Sequence, residues 1–209
     1  MRYCFALLKM LFLISSVSLV SCGEESKEQE TELVTPESKD PKVRKLKLPP
    51  GFVAERIYSP GENDQGSWVS MTFDNKGRLI ASDQFGQMYR MTVPAVGDSS
   101  AKPVVERLIV GSSNAADTSS KSINMGYAQG LLYAFNSLYV MVNHDGNEEF
   151  KRKGGLYRLQ DLDGDDRYEK VEHLMLMNGA GEHGPHSIIL APDKKSLFPG
   201  VNVAKYLKV

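Results

Sequence analysis

Cysteine is nearly absent from this chain, with only Cys4 and Cys22 among 209 residues. Both lie at the N-terminal end of the chain, so everything after position 22 is free of cysteine. That part can form no disulfide, no thiol nucleophile and no cysteine-based metal site, and no C-x-x-C-H motif is present to attach a c-type haem.

Several motifs of common enzyme classes are missing as well. The sequence has no G-x-S-x-G, no Gly-rich phosphate loop and no H-E-x-x-H. It therefore gives no support to a serine hydrolase, a nucleotide-binding protein or a zinc protease. The net charge is only −1, which favours neither a nucleic acid nor a charged membrane surface as a partner.

Long apolar runs are also missing. The longest follows Arg2 and Lys9 and ends at Val20, which is short of the roughly 20 apolar residues that a spanning helix needs. A basic start followed by a short apolar run is typical of a signal peptide. The run leads into L-V-S-C, ending at Cys22, which resembles the bacterial lipobox.

This lipobox resemblance implies that residues 1–21 are a lipoprotein signal peptide and that the thiol of Cys22 carries a diacylglycerol. Two or three acyl chains hold a domain durably at a membrane. We therefore expect a lipid-anchored protein of the bacterial cell envelope, on the periplasmic or cell-surface face of a membrane. The alternatives are an ordinary secretory signal with an incidental cysteine, or an N-terminal helix that is retained.

The mature chain divides by composition into a linker and a folded domain. Residues 22–47 are highly charged and contain no aromatic residue, so they bury too little apolar surface to fold. We predict a disordered tether there, with a short exposed helix around Glu24 to Glu32 as the alternative. Residues 48–209 are long enough for one folded domain.

The predicted domain is all-β. No apolar pattern of period 3.6 persists for a helix, whereas short apolar runs alternate with turns. The predicted strands include residues 52–58, 68–73, 78–82 and 88–93, with the turn D-N-K-G between the second and the third. Similar units recur further on, and Q-M-Y-R at residues 87–90 returns as G-L-Y-R at residues 155–158.

Repeated strand–turn–strand units of this kind are typical of the blades of a β-propeller. Their number predicts a partial propeller of about three blades, and the alternative is a β-sandwich with coincidental turns. After Phe198 the expected further strands do not follow, so we expect the chain to be a truncated or frame-shifted product of a longer gene. Such a fragment would lack a complete active site.

An acidic loop is the first candidate site. Alternating carboxylates with a later glutamate suit Ca²⁺, which takes six to eight oxygen ligands, and the predicted ligands are Asp161, Asp163, Asp165 and Glu172. The spacing partly fits the helix-flanked calcium loop, with Glu172 in its twelfth place, but Asp166 stands where the obligate glycine belongs and the flanks read as strands. The alternative is a solvated acidic turn.

The second candidate site is G-E-H-G-P-H, which places His183 and His186 three residues apart on a loop stiffened by glycine and proline. A neutral imidazole there could act as a general base in a pocket. The alternative is that one histidine bonds to backbone and the other is solvated. His144, at the end of a predicted strand, is a weaker candidate.

With these motifs in view, the chain resembles the N-terminal half of exported bacterial propellers classed as membrane-bound dehydrogenases, which are related to the quinoprotein glucose/sorbosone dehydrogenases. The resemblance is carried by L-P-P-G-F at residues 48–52, the run from Gly66 to Asp83, G-L-Y-R-L, the acidic loop and G-E-H-G-P-H-S-I. It implies a propeller with pyrroloquinoline quinone, Ca²⁺, and a histidine that takes the proton from a sugar hydroxyl. His183 or His186 would take that role.

Three functions remain open at this stage. The first is a quinoprotein-like sugar or alcohol dehydrogenase domain. The second is a non-catalytic cell-surface propeller that binds a glycan or a protein. The third is an inactive fragment.

Overall fold

The computed structural model describes residues 33–98, 100–111, 123–144 and 152–200 and the backbone of residues 207–208, and of His183 it describes the backbone only. Cys22 and the predicted signal peptide lie outside these residues, so the lipid anchor stays a prediction. The chain forms two compact units, Met1–Ala54 and Glu55–Val209.

The described part of the first unit has local structure within the predicted tether. Val34 and Leu48 form an antiparallel bridge, in which each backbone N–H donates to the carbonyl of the other at 2.7 and 2.9 Å. Between them a 3₁₀ turn spans Val43–Lys45. The Asp40 carboxylate precedes the turn and accepts the N–H of Lys42 at 2.7 Å, as an Asx turn does.

One predicted strand does not form. Residues 52–58 join no sheet, and Phe52 and Val53 are 68% and 92% exposed. The apolar composition of this run was misleading, because a strand needs a partner for its backbone groups and a face to bury.

The second unit consists of three antiparallel sheets whose strands are paired in chain order. The first sheet contains β1 (Trp68–Phe73), β2 (Leu79–Asp83), β3 (Met88–Thr92) and β4 (Val104–Arg107). The second contains β5 (Ala128–Ala134), β6 (Ser137–Val142), β7 (Gly155–Gln160) and β8 (Lys170–Leu176). The third contains β9 (Ser187–Leu190), β10 (Ser196–Gly200) and β11 (Leu207–Lys208).

Tight turns explain this up-and-down order. Asp74 accepts the N–H groups of Lys76 and Arg78, both at 2.9 Å, in the turn between β1 and β2. Phe135 and Asn136 both have positive φ, 49° and 50°, in the two-residue connection between β5 and β6. Two consecutive positive φ angles are the mark of a type I′ hairpin turn, whose twist matches that of the strands.

The sequence repeat corresponds to a repeat in the structure. Arg90 lies on β3 and Arg158 on β7, the third strand of each four-stranded sheet. Each faces a glutamate on the fourth strand, Glu106 or Glu172 respectively. The two copies of the Y-R motif are therefore equivalent positions of two equivalent sheets.

Strand β6 of the middle sheet is buried on both faces. Every residue of β6 is buried. Leu138, Val140 and Val142 join the apolar cluster shared with the first sheet, whereas Tyr139 and Met141 join the cluster shared with the third. This alternation follows from the period of two along a strand, and it places one core on each side of the sheet.

The first strands of the three sheets lie side by side, with β1 in contact with β5 and β5 in contact with β9. Two backbone N–H groups of β5, from Leu131 and Tyr133, donate to Ser70 Oγ at 3.0 Å and Thr72 Oγ1 at 3.2 Å on β1. The side-chain hydroxyls of Ser70 and Thr72 thus replace the backbone carbonyls that a neighbouring strand would offer as acceptors.

The prediction of an all-β domain is confirmed. Among the described residues the only helices are three short 3₁₀ turns, Val43–Lys45, Pro60–Asn63 and Gly181–His183. In the same part of the chain, no helix has the length and apolar character to cross a bilayer.

Candidate functional site

The acidic loop joins β7 to β8 at one end of the middle sheet. Asp161, Asp163, Asp165 and Glu169 each present a carboxylate oxygen, and these oxygens lie within 4.8 Å of one another. The last ladder pair, Gln160 with Lys170, closes the loop at its base. A group of four converging carboxylates could hold a metal ion.

Backbone hydrogen bonds to the carboxylates shape this loop. Asp161 Oδ1 accepts the N–H of Gly164 at 2.7 Å, and Glu169 Oε2 accepts that of Leu162 at 3.0 Å. Aspartates that bond to the backbone two or three residues ahead stabilise turns. These hydrogen bonds bend the chain, and the bend brings the carboxylates of the alternating aspartates close together.

Asp166 is the residue that turns the loop, with φ of 71°. It holds the sixth place, where a calcium loop of the helix-flanked type has its glycine for a sharp turn. Asp is among the few residues other than glycine that enter the left-handed region readily. At this position the loop therefore differs from the calcium-loop pattern in residue type only. The backbone of Asp166 has the conformation that glycine usually provides.

All the polar groups of Asp166 are engaged. Its N–H donates to Asp161 Oδ2 at 3.0 Å, and its carbonyl accepts Arg90 Nη2 at 2.8 Å. Its carboxylate accepts both Nη atoms of Arg78, at 2.8 and 2.7 Å, and Lys76 Nζ at 2.7 Å. Asp166 thus fixes the acidic loop to the β1–β2 turn and to β3 of the first sheet.

The ion pair of Arg78 and Asp166 shifts both groups in the expected sense. Hydrogen bonds from Arg78 hold the pKa of the Asp166 carboxyl well below its usual range, and Lys76 adds to the effect. In return, the hydrogen bonds to Asp166 raise the pKa of the Arg78 guanidinium. Both groups are therefore charged across the ordinary range of pH.

The structure brings together three of the four predicted ligands but not Glu172. Glu172 pairs with Lys170 Nζ at 2.9 Å and lies 4.0 Å from Arg158 Nη1. The reason is that β8 begins at Lys170, and an extended chain advances about 3.3 Å per residue. Glu169, in the ninth place of the loop, lies in the cluster instead. The strand predicted after the loop was the signal that could have identified it, because a strand carries Glu172 away from the loop.

A polar cluster surrounds His186 at the opposite end of the sheets. His186 Nε2 lies 2.8 Å from the carbonyl oxygen of Gly181. The buried Asn143 directs its Nδ2 to that same oxygen at 2.8 Å and to Gln129 Oε1 at 2.6 Å. The same Nε2 also lies 3.3 Å from Asn143 Nδ2, so it faces both an acceptor, the Gly181 carbonyl, and an amide donor.

Glycine is required beside this cluster. A Cβ at Gly184 would overlap Asn143 Oδ1. Of the other histidines, His183 lies in the turn Gly181–His183 and its side chain is outside the described part of the chain. His144 is buried and stands edge-on to Tyr127, with ring centroids 5.9 Å apart.

The two sites are separated by the length of β7. Asn143 follows the ladder pair of Val142 with Gly155, at the start of β7, whereas the acidic loop follows Gln160 at its end. Six residues at about 3.3 Å each make roughly 20 Å. The resemblance implies a quinone, Ca²⁺ and a histidine that takes a proton, and here the acidic loop and His186 lie at opposite ends of β7, so we derive no step through the quinone.

Comparisons with known proteins leave the resemblance as a prediction. No family model, no curated protein and no solved structure matches this chain.

Proposed function

We propose that this chain is a non-catalytic, ligand-binding module of an exported β-propeller, held at the bacterial cell envelope by a lipid on Cys22 and stabilised by Ca²⁺ in the acidic loop. The observation that carries the proposal is the convergence of four carboxylates, from Asp161, Asp163, Asp165 and Glu169, within 4.8 Å.

Calcium suits this cluster for two reasons. Four neighbouring carboxylates repel one another unless a cation compensates their charge. Ca²⁺ accepts six to eight oxygens in flexible geometry, whereas Mg²⁺ demands an octahedron and keeps several of its waters. Carboxylates from a surface loop, completed by backbone carbonyls and water, match the calcium preference.

The arrangement of the sheets supports the propeller. Blades of a propeller are sheets of strands in chain order, set radially around a centre. Here the first strands β1, β5 and β9 lie next to one another, as inner strands of successive blades would. A metal in the loop between β7 and β8 would then act at the junction of two blades, far from the His186 cluster, which suits a structural ion.

Thermal unfolding of the full chain in CaCl₂ and in EDTA tests the proposal. A ligand at about 100 times its Kd adds about 2.7 kcal/mol, and for a chain of this size each kcal/mol raises Tm by roughly 2–4 °C. We therefore expect Tm to rise by roughly 5–10 °C in calcium. Asp163→Asn should abolish the rise.

The matched control is Asp193→Asn, which alters an Asx turn of the same kind, in which Asp193 Oδ1 accepts the N–H of Lys195 at 2.8 Å. This variant should keep the calcium response. An unchanged Tm in calcium, or an equal rise in the Asp163 variant, would contradict a metal in the loop.

Sugar oxidation, the activity that the resemblance implies, is the second candidate. The cluster of His186, Asn143 and Gln129 favours it, because a base beside fixed amides could receive a hydroxyl proton. It predicts cofactor-dependent dye reduction by the full chain supplied with quinone, and loss of that activity in His186→Gln. Dye reduction that survives this substitution would count against it.

A further inference from the structure

Basic side chains are concentrated in one short stretch of this nearly neutral chain. Residues 39–47, here called the basic segment, contain five basic residues and one acidic residue. The chain as a whole has a net charge of −1, so the remainder of the chain is acidic. A local excess of one charge attracts a partner of the opposite sign even when the net charge of the protein is small.

The local fold turns the cations of the basic segment outward. Val43, in the middle of the segment, is the buried residue of the 3₁₀ turn. The antiparallel bridge of Val34 with Leu48 closes the segment at its base, and Lys47 Nζ donates to Thr35 Oγ1 at 2.7 Å beside that bridge. The five basic residues are all exposed, and they are Lys39, Lys42, Arg44, Lys45 and Lys47.

Exposed apolar residues accompany the basic segment. Leu33 and Val34 before it are 53% and 41% exposed, and Leu46 within it is 44% exposed. Phe52 and Val53, which follow it, are exposed to an even greater extent. Segments that lie in the interface of an anionic bilayer combine Lys and Arg with apolar side chains in this way. The cations meet the lipid phosphates, and the apolar side chains enter the headgroup region.

The predicted lipid on Cys22 would keep the basic segment close to a bilayer. Lys39 lies 17 positions after Cys22, and a fully extended chain covers at most about 3.6 Å per residue, so the separation cannot exceed roughly 60 Å. Such confinement raises the effective concentration of the segment at the bilayer surface. A basic patch is also one of the second signals that make anchoring by an acyl chain stable.

We infer that the basic segment and the apolar residues beside it dock on an anionic phospholipid surface. The inference deepens the proposed function, because it rests on the lipid on Cys22 and adds a second contact with the same membrane. On its own the segment would bind only reversibly, so the lipid is still what keeps the protein in the membrane fraction.

Co-sedimentation of the full chain carrying Cys22→Ser with lipid vesicles tests this inference, because serine offers no thiol for the lipid. The vesicles contain phosphatidylcholine alone or phosphatidylcholine with phosphatidylglycerol. We expect stronger binding to the mixed vesicles, and loss of that preference as NaCl rises from about 0.1 M to about 1 M, where the Debye length falls from about 10 Å to about 3 Å. Each basic residue near an anionic surface strengthens binding by about fivefold, so Arg44→Gln together with Lys45→Gln should weaken binding by about 25-fold.

The matched control is Lys102→Gln together with Lys195→Gln, since both lysines are exposed and the change in net charge is the same. This control should bind the mixed vesicles as the Cys22→Ser chain does. All these proteins carry the same leader, so a difference between the two double variants reports on the basic segment. The inference is overturned if both kinds of vesicle bind equally, or if the two double variants lose affinity to the same extent.

Mass spectrometry of Cys22 in the native protein distinguishes failure of this inference from failure of the proposed anchor. A bare Cys22 in a protein that prefers the mixed vesicles would overturn the anchor and leave the docking surface standing. A lipid on Cys22 without any preference for the mixed vesicles would overturn this inference alone.

Discussion

Asp166 holds the acidic loop against the first sheet through charges that are only partly screened. Its side chain is 32% exposed and that of Arg78 is 18% exposed. Exposed ion pairs contribute little to stability, but paired Arg–carboxylate bonds are stronger and geometrically defined. The contribution of this contact therefore lies above that of an ordinary surface pair.

Replacing this carboxylate should change how stability depends on pH. The folded-state pKa of Asp166 is lowered from an unfolded value of about 3.9, so its contribution is present above that value and is lost as the pH falls through the folded pKa. Asp166→Asn keeps the left-handed backbone and should cost about 1–2 kcal/mol at neutral pH. Urea unfolding measured between about pH 7 and pH 3 should show a shallower loss on acidification below roughly pH 5.

The control for that series is Glu62→Gln, which removes the exposed pair of Glu62 with Arg56 at 2.9 Å. It should change the free energy of unfolding by less than about 1 kcal/mol. An acid loss in the Asp166 variant as steep as in the parent would show that the pair contributes nothing to folding.

The contacts of single side chains were harder to predict from the sequence than the strands were. The alternating aspartates were identifiable because their spacing has a direct chemical meaning. The partners of Asp166 were not, since Arg78 and Lys76 lie some 90 positions earlier in the chain and only the packing of the two sheets brings them together. The contacts of His186 with Gly181 and Asn143 are likewise products of the fold.

At the scale of elements, regular spacing made most strands predictable. Residues 68–73 form β1 as predicted, and the runs at 78–82 and 88–93 match β2 and β3 within one residue. Alternation of buried and outward residues between strong turns is a local signal. The short β4 (Val104–Arg107) was missed, because its mostly exposed residues V-V-E-R have little alternation to detect.

The strand that follows the acidic loop decides which glutamate could bind a metal ion there. Because β8 carries Glu172 away from the loop, Glu169→Gln should weaken Ca²⁺ binding by about tenfold or more. Glu172→Gln is the matched control and should bind Ca²⁺ as the parent does. Calcium titration of the two variants by calorimetry distinguishes them, and a larger loss in the Glu172 variant would mean that the loop closes as a helix-flanked site does.

At the scale of the whole molecule, the lipid anchor is the prediction on which its location depends. Mass spectrometry of the native protein should find residues 1–21 removed and a diacylglycerol on Cys22, because one acyl chain alone holds only reversibly. Cys22→Ser should release the protein from the membrane fraction. A bare thiol at Cys22, or a retained leader, would contradict the anchor.

Each sheet is built from strands that are neighbours in sequence, and this has a consequence for the order of assembly. Contacts between nearby residues form faster than distant ones, because little chain entropy is lost in closing them. A chain synthesised from its N-terminus can therefore complete β1–β4 before β5–β8 emerge, and each finished sheet then offers a surface on which the next can condense. The link from Arg78 to Asp166 would form only after the first two sheets have met.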